Sequence, residues 1–298
     1  MGQFPFEEAG DGMMKAAKTV AALHDLSGVG RCALTVAIPV ISAMGAQVIP
    51  APTAVLSAHT AFPEFVGLDL TDYLEKCLDK WCEMGLAFDC VYTGYMASVR
   101  QEELARGFMD RQKKALRVVD PVLGDDGRMY RALPKEMPEA MRRLCRDADV
   151  ITPNMTEAAL LTGWKLPEND GTGALGTNRS GERYGYAQVR EILERLMELR
   201  PGIALVTGVR LEDAYVNVWM EKDGRVRSCA YEPVPASYPG TGDLFASVLT
   251  GAMMQERPFE QAVSIATDYV RETIQLTLDC DTEPVYGVQL EKTLGKLM

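Results

Sequence analysis

Short apolar segments that recur between longer amphipathic stretches constrain this chain more than any other feature. Residues 19–24, 47–50, 88–93, 115–119, 150–152 and 203–207 are rich in Val, Ile, Leu or Ala. They lack the in-out alternation of a half-exposed strand, which is the pattern of strands buried on both faces. The spacing predicts helices over 32–44, 70–83, 101–114, 136–146, 156–162 and 187–199. In the last of these Ile192, Leu193, Leu196, Met197 and Leu199 share one face while Arg190, Glu191, Glu194, Arg195 and Glu198 take the other, so that face packs on a sheet. This βα rhythm implies an α/β fold with a mostly parallel sheet covered on both sides.

Late in the chain the rhythm changes. Segments 214–220 and 226–231 flank Asp223-Gly224 and read as a hairpin, with helices following over 244–254 and 259–277. Segment 163–185 carries too much Gly, Asn, Pro and charge for an element and reads as a long flexible loop, a candidate movable cover. No internal repeat or composition break divides the chain. The expected organisation is one domain over 17–298 behind a polar, flexible extension at 1–16.

Composition narrows the function. The 298 residues carry 31 Lys and Arg against 42 Asp and Glu, a net charge of −11, which argues against nucleic acid or an anionic membrane as partner, because Lys and Arg must supply the charge that such surfaces attract. The seven cysteines are scattered without a CxxC pair, and His24 and His59 are the two histidines, so neither a zinc site nor a disulfide framework is expected. No run of 18 apolar residues occurs and the N-terminus lacks the pattern of a signal peptide. The expectation is a reduced, cytoplasmic protein.

Four segments could carry chemistry. Gly28-Val29-Gly30-Arg31-Cys32-Ala33 fits the dinucleotide fingerprint GxGxx[GA], which would make a dehydrogenase. The same pattern recurs at Gly171–Gly176, and no acid follows about 20 residues on to hold a ribose, so a tight βα turn near a ligand is the better reading. The chain has no GxxxxGK[ST], which excludes a P-loop kinase. Pro239-Gly240-Thr241-Gly242-Asp243 precedes an almost wholly apolar helix. Free amides at such a helix start, together with the helix dipole, favour phosphate oxygens. Asp243 could equally be an ordinary cap, but a cap needs no preceding GTG, whereas a bound polyphosphate needs glycine so that the backbone can approach. Asp120 stands at the end of a buried strand with Asp125 five residues on in a Gly-containing loop. Thr152-Pro153-Asn154 with Glu157 opens a helix after another strand. Hard oxygen ligands of this kind suit Mg²⁺ bridging to phosphates, and helix capping by Asn154 or Thr156 is the alternative. Either histidine could simply hydrogen-bond backbone, and Met253, Met254 and the other methionines at helical spacing read as core filler.

DPVLGDDGRMY (120–130), ITPNMTEAALLTG (151–163) and PGTGDLFASVLTGAMM (239–254), in this order, resemble the ribokinase-like superfamily and within it the pyridoxal kinase family. Thr93-Gly94-Tyr95, Ser57-Ala58-His59-Thr60 and Leu205-Val206-Thr207-Gly208 support the likeness, which spans about 18–290. The resemblance implies a three-layer αβα sandwich, a homodimer, and transfer of the γ-phosphoryl group of ATP to the 5′-hydroxymethyl group of a B6 vitamer with Mg²⁺ and, in some cases, a monovalent cation. It implies that Asp243 is the catalytic base and that Gly240, Thr241 and Gly242 form the anion hole. Asp120, Asn154 and Glu157 would organise Mg²⁺ and the triphosphate, Asp120 and Glu157 on the metal side, with Asp125, Tyr130, Thr152, Thr207 and Gly208 beside the nucleotide. Thr60 and Tyr95 would line the vitamer pocket, with His59 nearby. The family's Ser-His-Val-Val-like stretch after the first strand is replaced by Leu23-His24-Asp25-Leu26-Ser27, so Ser27, or His24 and Asp25, would face the ring. Hydroxymethylpyrimidine kinases, which act on a similar group, usually carry Cys where Asp243 stands, and the Asp favours B6. A non-catalytic nucleotide or vitamin binder is the alternative of another class.

Overall fold

The computed structural model describes residues 16–166, 183–212 and 214–298. The apolar segments become strands β1 (Thr19–Val29), β2 (Gln47–Ala58), β3 (Gly67–Asp69), β4 (Cys90–Thr93), β5 (Leu116–Val119), β6 (Gly124–Asp125), β7 (Arg128–Met129), β8 (Val150–Ile151), β9 (Arg183–Tyr184), β10 (Ile203–Leu211), β11 (Ala214–Glu221) and β12 (Val226–Tyr231). The helices are α1 (Leu34–Ala43), α2 (Thr71–Glu83), α3 (Val99–Arg111), α4 (Met137–Cys145), α5 (Met155–Thr162), α6 (Tyr186–Met197), α7 (Thr241–Met254) and α8 (Phe259–Asp279). One sheet runs β12-β11-β10-β8-β5-β4-β1-β2-β3, with β9 beside β10, and β6 and β7 form a separate hairpin. The pairs from β10 through β8, β5, β4 and β1 to β2 are parallel, and β3, β11 and β12 join antiparallel at the edges.

Adjacent residues on one strand bury on opposite faces, which is why the sequence shows no alternation. Leu23, Val91, Val119, Ile151 and Val206 pack with α2 to α6, whereas Val20, Tyr92, Val118, Val150, Leu205 and Trp219 pack with α1, α7 and α8. The result is a three-layer αβα sandwich. Strand β1 pairs with β2 on one side and β4 on the other, so the direction of winding reverses there. In such sheets ligands bind beyond the carboxyl ends of the strands at this reversal.

The first strand departs from expectation. It runs on to Val29, so Asp25 to Val29, expected to lie beyond the end of the strand, pair with a similarly long β2 through Ser27↔Leu56 and Val29↔Ala58. Between His24 and Leu26 the register shifts by one, the extra residue lying in β2 between Pro52 and Val55. Strand β2 tolerates Pro50 and Pro52 because β3 covers only Ala54 to Leu56, leaving the prolines on an open edge where no amide is needed. Within the expected 163–185 loop, Arg183–Tyr184 forms a strand against β10. Most of the rest of that segment, and nearly all of the 1–16 extension, lie outside the described residues.

Candidate active site

A cavity of about 300 Å³ opens at the carboxyl ends of β1, β5, β8 and β10 and is closed on one side by the start of α7. Each wall has a local reason. Asp120 follows β5, its amide bonded to the Thr93 carbonyl at 2.8 Å, and its Oδ1 accepts the Thr152 hydroxyl at 3.1 Å. The chain then turns into the β6–β7 hairpin, where Asp126 and Gly127 have φ of 53° and 71°, the left-handed pair that a two-residue hairpin turn requires. Asn154 and Glu157 close a capping box at the start of α5. Glu157 Oε2 accepts the Asn154 amide at 2.9 Å and Oε1 accepts the Leu123 amide at 3.2 Å, so one carboxylate ties the helix to the residue that leads into the hairpin. Asn154 Nδ2 donates to the Gly124 carbonyl at 2.9 Å. Thr207 is held by its amide on the Pro153 carbonyl at 3.0 Å. It precedes a bulge at Gly208, whose φ is 68° and whose amide Asn217 Oδ1 accepts at 3.0 Å.

The start of α7 decides what the GTGD segment does. Gly240 has φ of 80°, and a Cβ there would stand 1.9 Å from the Arg31 carbonyl. Glycine is therefore required both by conformation and by the close approach. Arg31 is anchored by Glu291 at 2.8 Å and the Tyr286 carbonyl at 3.0 Å. No side chain caps the helix, and a Cβ on Gly242 would meet nothing within 4 Å, so its first amides face open cavity. Asp243 is not a cap. Its carboxylate accepts the backbone amide of Ala33 across the cavity floor, and burial, with the charge of Asp25, pushes its pKa up to about 7. Ala33, with φ of 50° and ψ of −129°, is a strained non-glycine position held by its surroundings. The site thus sets an ionisable carboxylate beside unpaired amides, an arrangement that can take a proton next to a bound anion.

Charge in the cavity is one-sided. Its described lining includes Asp25, Asp120, Asp125, Glu157 and Asp243 and no Lys or Arg. Burial raises the carboxyls of Asp120, Asp125 and Glu157, Asp120 also through the charge of Asp243 and Glu157 through that of Asp120.

A sequence profile of the phosphomethylpyrimidine kinase family matches residues 35–286. The chain belongs to that family. It is similar to a protein of Bacteroides thetaiotaomicron described as a candidate phosphomethylpyrimidine kinase and crystallised with pyridoxal, 39% identical, with a TM-score of 0.82 over 94% of this chain and 96% of that one. It is similar to the pyridoxal kinase of Lactobacillus plantarum at 31% identity and a TM-score of 0.82, covering 94% and 96%. The pyridoxal kinase of Rubrobacter xylanophilus is 28% identical over 263 residues, 84% of each chain. The protein is a kinase of the ribokinase-like superfamily, grouped with the pyridoxal kinases.

In this kinase most residues singled out from the sequence meet at one cavity: Ser27, His59, Thr60, Tyr95, Asp120, Asp125, Tyr130, Thr152, Asn154, Glu157, Thr207 and Gly240 to Asp243. Two do not line it. Gly208 shapes the strand behind Thr207. His24 lies under the sheet, fully buried, its ring 4.3 Å from that of Tyr92 and filling the space a Gly94 side chain would need. Neither ring nitrogen has a hydrogen-bond partner and burial lowers its pKa to about 3, so the expectation that His24 contacts substrate is corrected. Its neighbour Asp25 takes the opposite face of the strand and lines the cavity instead. His59 reaches the cavity with both nitrogens already engaged, Nε2 with the Val285 carbonyl at 2.8 Å and Nδ1 with the Ala61 amide at 3.2 Å. Asp25, Cys32, Ala33 and Tyr238 are lining residues that motif reading passed over or left undecided. Only the acid in an otherwise apolar strand gave a signal. The role of Ala33 is carried by backbone and leaves no trace in residue type.

The two glycines of the helix start separate under substitution. Gly240→Ala costs at least about 2 kcal/mol of stability through strain and the Arg31 clash, seen as a lowered melting temperature. Gly242→Ala melts as the parent does but loses turnover, because its methyl group intrudes on the anion site. Equal melting of the two variants would contradict the geometry.

Proposed function

We propose that this kinase transfers the γ-phosphoryl group of ATP to the 5′-hydroxymethyl group of a B6 vitamer. The observation that carries the reading is the Asp243 carboxylate, uncoupled from capping and set at the cavity floor beside the free amides of α7. Asp243 takes the alcohol proton as the oxygen–phosphorus bond forms, which a carboxylate of raised pKa does better than an ordinary one. The amides of Thr241, Gly242 and Asp243 stabilise charge on the transferring group, and phosphoryl transfer needs little beyond such positioning. Asp125, Tyr130, Thr152, Asn154 and Thr207 form the nucleotide side, with Gly208 shaping the strand behind Thr207; Ser27, His59, Thr60 and Tyr95 form the acceptor side.

A wall of carboxylates without Lys or Arg fits a divalent cation carried in with the triphosphate. Asp120 would hold it, since it spends only Oδ1 on Thr152, while Glu157, with both oxygens on backbone amides, contributes charge. Bound there, Mg²⁺ supplies neutralisation of the phosphate oxygens. Among the described residues no three His, Cys, Asp or Glu side chains form a metal cage.

Val66 and Leu68 on the β3 side of the sheet are 78% and 62% exposed, with Val55 and Phe65 beside them. This apolar edge favours a homodimer; light scattering is expected to give twice the 32.7 kDa chain mass. We place the enzyme in the cytoplasm, where ATP is supplied and its free cysteines stay reduced. Among the described residues no helix is long and apolar enough to cross a membrane.

The deciding experiment offers MgATP with pyridoxal, pyridoxamine, pyridoxine and hydroxymethylpyrimidine and reads phosphorylated product by mass spectrometry. Product from at least one vitamer is expected. Product from the pyrimidine alone would assign the enzyme to that substrate, and none at all would favour a binding protein.

A further inference from the structure

Asp25 is an acid that the proposed transfer reaction does not use. It is 6% exposed, lines the cavity, and accepts the Ser27 hydroxyl on Oδ2 at 2.7 Å. Its charge is felt by Asp243, Cys32 and Tyr95, which places it at the acceptor end, away from the nucleotide wall of Asp120, Asp125 and Glu157. No Lys or Arg is among the described lining residues. Both ring nitrogens of the neighbouring His59 are engaged elsewhere, Nε2 with the Val285 carbonyl and Nδ1 with the Ala61 amide, so neither donates to Asp25. Ser27 is the side-chain donor to this carboxylate; a buried carboxylate is costly until its oxygens are hydrogen-bonded, and the cavity leaves the acceptor as the source of a further donor.

We propose that Asp25, oriented by Ser27, determines acceptor specificity by receiving a hydrogen bond from a protonated nitrogen of the acceptor. This rests on the B6 reading above and sharpens it. The nitrogen is the ring nitrogen shared by all vitamers or the aminomethyl group of pyridoxamine. Both are charge-assisted donors to the same carboxylate, and the more weakly basic pyrimidine supplies neither as well.

The test compares the parent and Asp25→Asn on pyridoxine, pyridoxamine and the carbocyclic isostere of pyridoxine, in which CH replaces the ring nitrogen. The parent is expected to prefer pyridoxine over the isostere by about tenfold or more in kcat/KM, the size of one hydrogen bond to a charged group, expressed chiefly in KM. In D25N that ratio falls toward one. If the amine is the donor, the pyridoxamine to pyridoxine ratio falls instead. Ser27→Ala shifts the same ratio less, in the same direction. A D25N variant that slows all acceptors by one common factor, with ratios unchanged, overturns the proposal. Should D25N fail to fold, calorimetric titration of the parent with pyridoxine, pyridoxamine and the isostere decides, and equal affinity for all three overturns it. A parent that phosphorylates no vitamer refutes the B6 reading itself, a result distinct from either.

Discussion

Asp243→Asn is expected to lower kcat by about 10² to 10⁴, the usual contribution of a positioned base, while ATP affinity is largely kept. The same variant is expected to be more stable than the parent at neutral pH. In the folded protein the Asp243 carboxyl titrates near 7 rather than 3.8. Between those values the folded state holds a proton that the unfolded chain has lost, so stability falls as pH rises from about 4 to about 7. A tenfold difference in proton affinity between the folded and unfolded chain is worth about 1.4 kcal/mol, and the carboxylate keeps a face on the solvent-filled cavity. The discounted gain for D243N is about 1 to 3 kcal/mol at pH 8, with none at pH 3. Thermal melts across pH read this directly. In the parent, kcat/KM rises with pH through about 7 as Asp243 ionises. Near-parental turnover by D243N would remove Asp243 from the reaction.

Glu157→Ala is expected to be the most destabilising single change at the site. Both carboxylate oxygens accept backbone amides, from Asn154 and from Leu123, and the side chain is buried. Its removal takes away half of a capping box and leaves two amides inside without acceptors, together about 2 to 4 kcal/mol. The β6–β7 hairpin loses its tie to α5, so Asp125 and Tyr130 lose their placement and nucleotide affinity falls with stability. Glu157→Gln keeps one acceptor oxygen and removes the repulsion with Asp120, and should recover part of the stability. A melt of E157A within about 0.5 kcal/mol of the parent, the range of ordinary surface changes, would refute this account of the wall.

The helices and parallel strands were legible because burial on both faces demands runs of Val, Ile and Leu that periodicity detects. Boundaries failed where pairing across the sheet extended a strand. Polar Asp25 and Ser27 belong to β1 only because β2 runs beside them, and two prolines belong to β2 only because its outer edge is open. The GTGD helix start, the strand-end Asp120 and the Asn154–Glu157 opening of α5 were legible as well. Local chemistry there depends on residues close in the chain, which carry their own glycine, cap and turn signals.

Residue order by itself determined the layer architecture, the acidic character of the chain and the segments that could meet a phosphate. Tertiary structure alone decided which side chains face the cavity. His24 and Asp25 take opposite faces because a strand repeats every two residues, and only the packed sheet decides that Tyr92 closes over one face while the other opens on the cavity. It also decided the state of Asp243, since burial raises its pKa and the groups that act on it, the Ala33 amide and the Asp25 charge, lie more than 200 residues away in the chain. Such long-range desolvation is a property of packing, and no local pattern of residues encodes it.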